Sequence, residues 1–296
     1  MLTRRALLLG STTTLAVGAA GGVGVQQGVL PGRPWLQAHL GLNGEAGTVP
    51  DVEPGPVERG TFVSRARLGA PTRWALVRPP DVTGPLPLVI ALHAYGHDIE
   101  NLLGPGFGLP QHLAAAVAAG APPFQLAMAD GGRTYWHERP DGEDAGAMVV
   151  DELVPLLQRR GVPTERFGLI GWSMGGFGTL HLAGQLGSAR VPAAVATSAA
   201  LWTDADDAPP RAFDDEAEWE AFTPFGRQED LDGIRLRLDC GTGDPFYRAV
   251  EEYAEGFPAD ADLTVTFEPG GHTAGYWRRM LPAQLAFLGA GVASGT

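Results

Sequence analysis

An α/β domain on an eight-stranded, mostly parallel sheet, with helices on both faces, follows from three features of this sequence. Eight short apolar segments recur along the chain, and from the third onward helical stretches separate them. The central segments are continuously apolar, as strands covered on both faces must be. A Gly-x-Ser-x-Gly turn, Gly171 to Gly175, joins one such strand to a helix.

The elements follow in order. Thr61–Leu68 and Thr72–Arg78 alternate apolar and polar residues, which predicts half-exposed antiparallel strands at a sheet edge. Leu86–Leu92 is apolar throughout and predicts a buried strand. Further strands are expected at Gln125–Ala129, Arg166–Ile170, Ala193–Thr197, Ile234–Asp239 and Leu263–Phe267. Helices are expected over Leu109–Ala119, Asp144–Arg160, Met174–Leu186, Pro245–Phe257 and Tyr276–Leu288. Two strands followed by strand–helix alternation give one mixed sheet. Ligands of such sheets bind at the carboxyl ends of the strands. The acidic, aromatic segment 203–228 after the sixth strand predicts a short, partly helical cap-like insertion over that end.

The N-terminal residues read differently. Arg4 and Arg5 precede an uncharged run from Ala6 to Val25, a pattern resembling a twin-arginine export signal. Residues 1–29 are thus expected to be an export signal, or an uncleaved anchor that associates with a membrane or cell envelope. Residues 30–60 are rich in Pro and Gly without periodicity and predict a linker or surface-hugging arm. The catalytic domain is expected over 61–290, in a secreted or envelope-bound protein.

Composition narrows the chemistry. The chain of 296 residues carries 34 acidic and 21 basic residues, a net charge of −13. Such a chain is a poor partner for nucleic acid, whose phosphates require basic surface. Every basic residue is arginine, so Schiff-base and P-loop chemistry are excluded. One cysteine, Cys240, excludes an internal disulfide and a thiolate zinc cluster. His93 and His97 flank a loop without an evident third ligand, so no metal is expected.

Ser173 is the expected nucleophile, because a serine on a tight strand-to-helix turn projects its hydroxyl toward the helix N-terminus. Its base must follow the last strand, and of the seven histidines only His272 does. Asp244, after the seventh strand, is the expected third member, with Asp239, Asp260 and Asp262 as rivals. Asp244 also suits a helix N-cap. Amides of Met174 and Tyr95 are the expected oxyanion donors. Trp136 and His137, in the loop after the fourth strand, and Trp172, beside the serine, are candidate substrate contacts. The aromatic residues of 203–228 read as cap packing.

With these residues in view, the chain resembles the esterase D-like family of α/β-hydrolase serine esterases. That family includes S-formylglutathione hydrolases, feruloyl esterases and mycolyltransferases. The likeness rests on Leu88 to Gly96, Gly171-Trp172-Ser173-Met174-Gly175-Gly176, Gly241-Thr242-Gly243-Asp244 and Gly271 to Trp277. It implies the α/β-hydrolase fold, the triad Ser173, Asp244 and His272, and ester hydrolysis through an acyl-enzyme without a cofactor. The substrate would be a small-molecule, lipid or carbohydrate ester. One departure is His93-Ala94 where the family usually has His-Gly, which bears on the second oxyanion donor. Alternative readings are an exported acyltransferase, which passes the acyl group to a sugar or lipid alcohol, and a catalytically silent binding protein on the same scaffold. A peptidase is disfavoured for want of an accessory domain.

Overall fold

The computed structural model describes residues 32–293, and the expected export signal, 1–29, lies outside the described residues. A short helix α1 (Arg33–His39) precedes the sheet, and β1 (Val57–Ser64) and β2 (Ala70–Val77) form an antiparallel hairpin. Then come β3 (Leu88–Leu92), α2 (Ile99–Leu103), α3 (Leu109–Ala118) and β4 (Gln125–Ala129). A helical run, α4, joins Ala145–Ala147, a π-helical stretch Met148–Leu153 and Val154–Gln158. Next are β5 (Phe167–Trp172), α5 (Met174–Leu186) and β6 (Ala193–Thr197). After these come α6 (Glu216–Phe222), β7 (Arg235–Gly241), α7 (Tyr247–Glu255), β8 (Leu263–Glu268) and α8 (Ala274–Ala293).

The strands lie in the order β1-β2-β4-β3-β5-β6-β7-β8. Pairings β1–β2 and β2–β4 are antiparallel, and the others are parallel. This is the α/β-hydrolase arrangement, with β3 and β5 adjacent at its centre. Both strands are buried along their length, and their residues alternate between two cores. Leu88, Ile90, Leu92 and Leu169 face the core formed with α4, α5 and the insertion. Val89, Ala91, Ile170 and Trp172 face the core formed with α2, α3 and α8. Burial on both faces explains why these segments lack polar residues.

Three local features depart from the simple pattern. The first strand begins at Val57 rather than Thr61, and Gly60 lies inside it. The Trp74 indole occupies the space a side chain at Gly60 would need, 2.6 Å from an ideal Cβ. The π-helical turn in α4 precedes Pro155, whose missing amide cannot complete an ordinary helical turn. Residues 33–50 carry α1 and then an extended arm that packs on the body. Gly47 donates to the Gly275 carbonyl at 2.8 Å, and Arg278 Nε donates to the Gly47 carbonyl at 2.7 Å.

Candidate active site

The turn between β5 and α5 places Ser173 in a conformation that L-residues rarely adopt, φ 56° and ψ −116°. Its neighbours make that turn possible. A Cβ on Gly171 would lie 2.0 Å from the Gly175 carbonyl, and one on Gly175 would lie 2.0 Å from the Leu92 carbonyl. The strain is held by backbone bonds on both sides. Ser173 N donates to Thr197 O, and Ser173 O accepts from Phe177 N and Ala200 N, each at 3.0 Å.

Loops after β7 and β8 bring the other two residues to the hydroxyl. His272 Nε2 lies 2.8 Å from Ser173 Oγ, and His272 Nδ1 lies 2.8 Å from Asp244 Oδ2. Asp244 is buried, and its Oδ1 accepts the Phe246 amide at 2.9 Å. The carboxylate therefore orients the imidazole while also fixing the entry to α7. Phe246 and Trp277 meet the His272 ring edge-on, with centroids 5.3 and 5.2 Å away. Trp277 is itself anchored by Nε1, which donates to Ser198 Oγ at 3.0 Å. Asp239 is engaged elsewhere. It is fully buried in β7, and its Oδ2 accepts from Arg237 Nε at 2.9 Å and Gln284 Nε2 at 2.7 Å. Asp262 and Asp260 lie on the approach to β8, away from the His272 loop. Burial pushes the Cys240 thiol well above its ordinary value, which leaves it unreactive.

The amides of Met174 and Tyr95 are engaged in no hydrogen bond among the described residues. Met174 N opens α5, and Tyr95 lies in the loop after β3, whose Leu92 and His93 carbonyls crowd Gly175. His93 fixes this loop. Its Nδ1 donates to Ala94 O, and its Nε2 accepts from Gly131 N, both at 2.9 Å. Burial holds its pKa below the ordinary histidine range, consistent with this neutral tautomer. Ala94 is buried and has no positive φ; Gly96, at φ 74°, takes the left-handed position of the turn that His97 N closes by donating to Ala94 O at 3.1 Å.

The three expected substrate contacts are corrected by burial. Trp136 is fully buried, with Nε1 directed to the His93 carbonyl at 3.4 Å. Tyr135 and Trp136 both have positive φ, which turns the loop inward. His137 is buried between Phe213 and Phe222, and its ring nitrogens face the Glu138 and Ala212 carbonyls at 2.8 and 3.0 Å. It ties the 203–228 insertion to the body. Trp172 packs against Phe107 in the opposite core. None of the three presents a surface to a bound molecule.

Phe246, which flanks His272, begins an aromatic series that the sequence reading did not group together. Phe246 is followed by Trp202 at 5.5 Å, Tyr135 at 5.7 Å from Trp202, and Tyr95 at 6.0 Å from Tyr135, between ring centroids. Phe246 was the legible member, since it stands two residues after the acid. A hollow of about 350 Å³ shares Trp202 and Phe246 with this series.

Residues 67–288 match the model of a family described as "Putative esterase". Among solved structures, the chain is similar to a ferulic acid esterase at 19% identity and TM-score 0.66, covering 81% of this chain and 99% of that one. It is similar to an S-formylglutathione hydrolase from Staphylococcus aureus at 17% identity and TM-score 0.63, covering 79% and 98%. It is also similar to an enterobactin esterase from Shigella flexneri at 24% identity and TM-score 0.62, covering 82% of this chain and 61% of that one. These likenesses are likenesses of fold. No curated protein matches the sequence.

Proposed function

The chain belongs to the esterase family whose model spans its residues 67–288, a family of carboxylic ester hydrolases, and from that premise we propose that it works through an acyl-enzyme on Ser173. One observation carries the reading. An unbroken relay runs from Ser173 Oγ through His272 to Asp244, with both contacts at 2.8 Å.

In the proposed cycle, His272 Nε2 takes the proton of Ser173 as Oγ attacks the ester carbonyl. Asp244 holds the Nδ1–H tautomer and stabilises the imidazolium that forms. The Met174 and Tyr95 amides receive the developing oxyanion, assisted by the N-terminus of α5. The tetrahedral intermediate collapses, and the alkoxide leaves with the proton held on His272. Water then gives its proton to the same nitrogen, attacks the acyl carbon, and releases the acid and free Ser173. Every proton taken by His272 is returned, so the cycle needs no cofactor.

Ser173→Ala is expected to lower turnover of p-nitrophenyl butyrate by about 10⁴-fold or more, leaving residual catalysis from binding and the oxyanion donors. It is also expected to abolish labelling by a fluorophosphonate probe. Wild-type activity in that variant would overturn the assignment. We further propose that residues 1–29 direct export, on the strength of Arg4-Arg5 and the uncharged run that follows. Fractionation of cells expressing the full chain tests this, with Arg4→Gln/Arg5→Gln expected to retain the protein in the cytoplasm.

A further inference from the structure

The aromatic series ends at a pair of arginines. The guanidinium carbons of Arg211 and Arg133 lie 5.3 and 5.6 Å from the Tyr95 ring centroid. Arg211 comes from the insertion after β6 and Arg133 from the loop after β4, so two separate segments bring charge to one ring. Both arginines are exposed. Among the described residues neither forms an ion pair, whereas Arg67, Arg73 and Arg139 are held by carboxylates. Arg73 holds Asp98 and Asp130, Arg67 holds Glu143, and Arg139 holds Asp214 and Glu218. The carboxylates closest in sequence to the pair, Asp130 and Asp214, are therefore already neutralised. The Arg211 guanidinium also lies near enough to the Tyr135 hydroxyl to oppose, in part, the rise that burial gives its pKa.

Tyr95 is the residue whose amide serves the oxyanion in the proposed cycle, and its ring is linked to the His272 ring through Tyr135, Trp202 and Phe246. A guanidinium stacked on an aromatic face keeps its N–H edge free for a planar anion. Two such edges without carboxylate partners, in a chain of net charge −13, make a local positive spot at the mouth of the site. We infer that Arg133 and Arg211 form a specificity site for esters bearing an anionic group, a carboxylate first among them. The inference rests on Ser173 being the nucleophile, because only then does Tyr95 border the scissile bond.

The experiment compares matched esters that differ in one charge. For an anion on the acyl side, mono-4-nitrophenyl adipate is set against its methyl ester. For an anion on the alcohol side, 4-acetoxybenzoate is set against methyl 4-acetoxybenzoate. In at least one pair, wild-type kcat/KM is expected to favour the charged ester, after correction for uncatalysed reactivity, by at least tenfold. That preference is expected to shrink by at least tenfold in Arg133→Gln/Arg211→Gln and to be partly retained in Arg133→Lys/Arg211→Lys. It should also decline as salt rises from about 20 mM to about 500 mM, where the Debye length falls several-fold. A wild-type preference for the neutral ester in both pairs, or a charged-ester preference that survives the double Gln variant, overturns the inference. Fluorophosphonate labelling of Ser173 in each variant separates the outcomes. Labelled variants with an unchanged preference refute the anion site alone, and absence of labelling in the wild type refutes the acyl-enzyme reading beneath it.

Discussion

Ser173 keeps its unfavourable backbone because the residues around it leave no alternative, and that makes the turn sensitive to a single methyl. In Gly175→Ala, the new Cβ would meet the Leu92 carbonyl at 2.0 Å and the His93 carbonyl at 2.9 Å, both on the buried central strand and its exit. Neither can retreat without shifting β3. The variant is expected to lose about 3 kcal/mol or more of stability. Gly106→Ala, where a Cβ meets nothing within 4 Å, is expected to change stability by less than about 0.5 kcal/mol. Urea midpoints at constant slope check both. The meeting of Ser173, His272 and Asp244 was legible because each occupies an ordered place after a strand, and sequence order carries that information. Trp136 and His137 were misread because residue type says nothing about which way a loop turns, and Trp172 because, as the last residue of β5, it alternates into the core against Phe107. Two consecutive positive φ values, at Tyr135 and Trp136, send these rings inward. Arg133 and Arg211 were invisible as a pair, since they lie 78 residues apart and meet only over Tyr95.

Among the elements, the central strands were read almost to their ends, because burial on both faces leaves a continuous apolar run. The edge was less legible. Gly60 reads as a strand break, yet the Trp74 indole fills its place within β1. The arm before the sheet was the least legible element. Arg33–His39 spans two turns, too short for periodicity to register, and its stability comes from docking rather than propensity. Thr242 Oγ1 donates to Gln37 Oε1 at 3.4 Å, and Arg279 donates to the Glu45 carbonyl. A Cβ on Gly243 would strike the Asn43 and Gln37 side chains, so the arm lies tight against the loop that presents Asp244. Removing residues 1–49 is therefore expected to loosen the Asp244 and His272 loops while sparing the sheet. Displacements of about 1 Å cost on the order of 10²-fold in rate, so kcat is expected to fall about ten- to a hundredfold with a native circular dichroism spectrum. Full kcat in the truncated protein would show that the arm is ornamental.

For the whole molecule, buried histidines set the response to acid. Burial pulls His112 down to about 4, and its two ring nitrogens have no partner among the described residues. Burial also pulls His181 down to about 3, beside the His137 ring. In the unfolded chain both titrate near the ordinary 6.5. The unfolded state thus binds more protons between pH 6.5 and about 4, and stability falls as pH drops through that window. Denaturation midpoints are expected to be flat above about pH 7 and to decline steadily toward pH 4.5. A flat profile over that range would contradict the neutral, buried state of these rings. The way the chain enters the body has an orienting effect as well. Arg33 stacks over Tyr247 at 4.6 Å, three residues beyond Asp244. Replacing Arg33 would therefore be felt first at the start of α7, next to the carboxylate that holds the His272 ring.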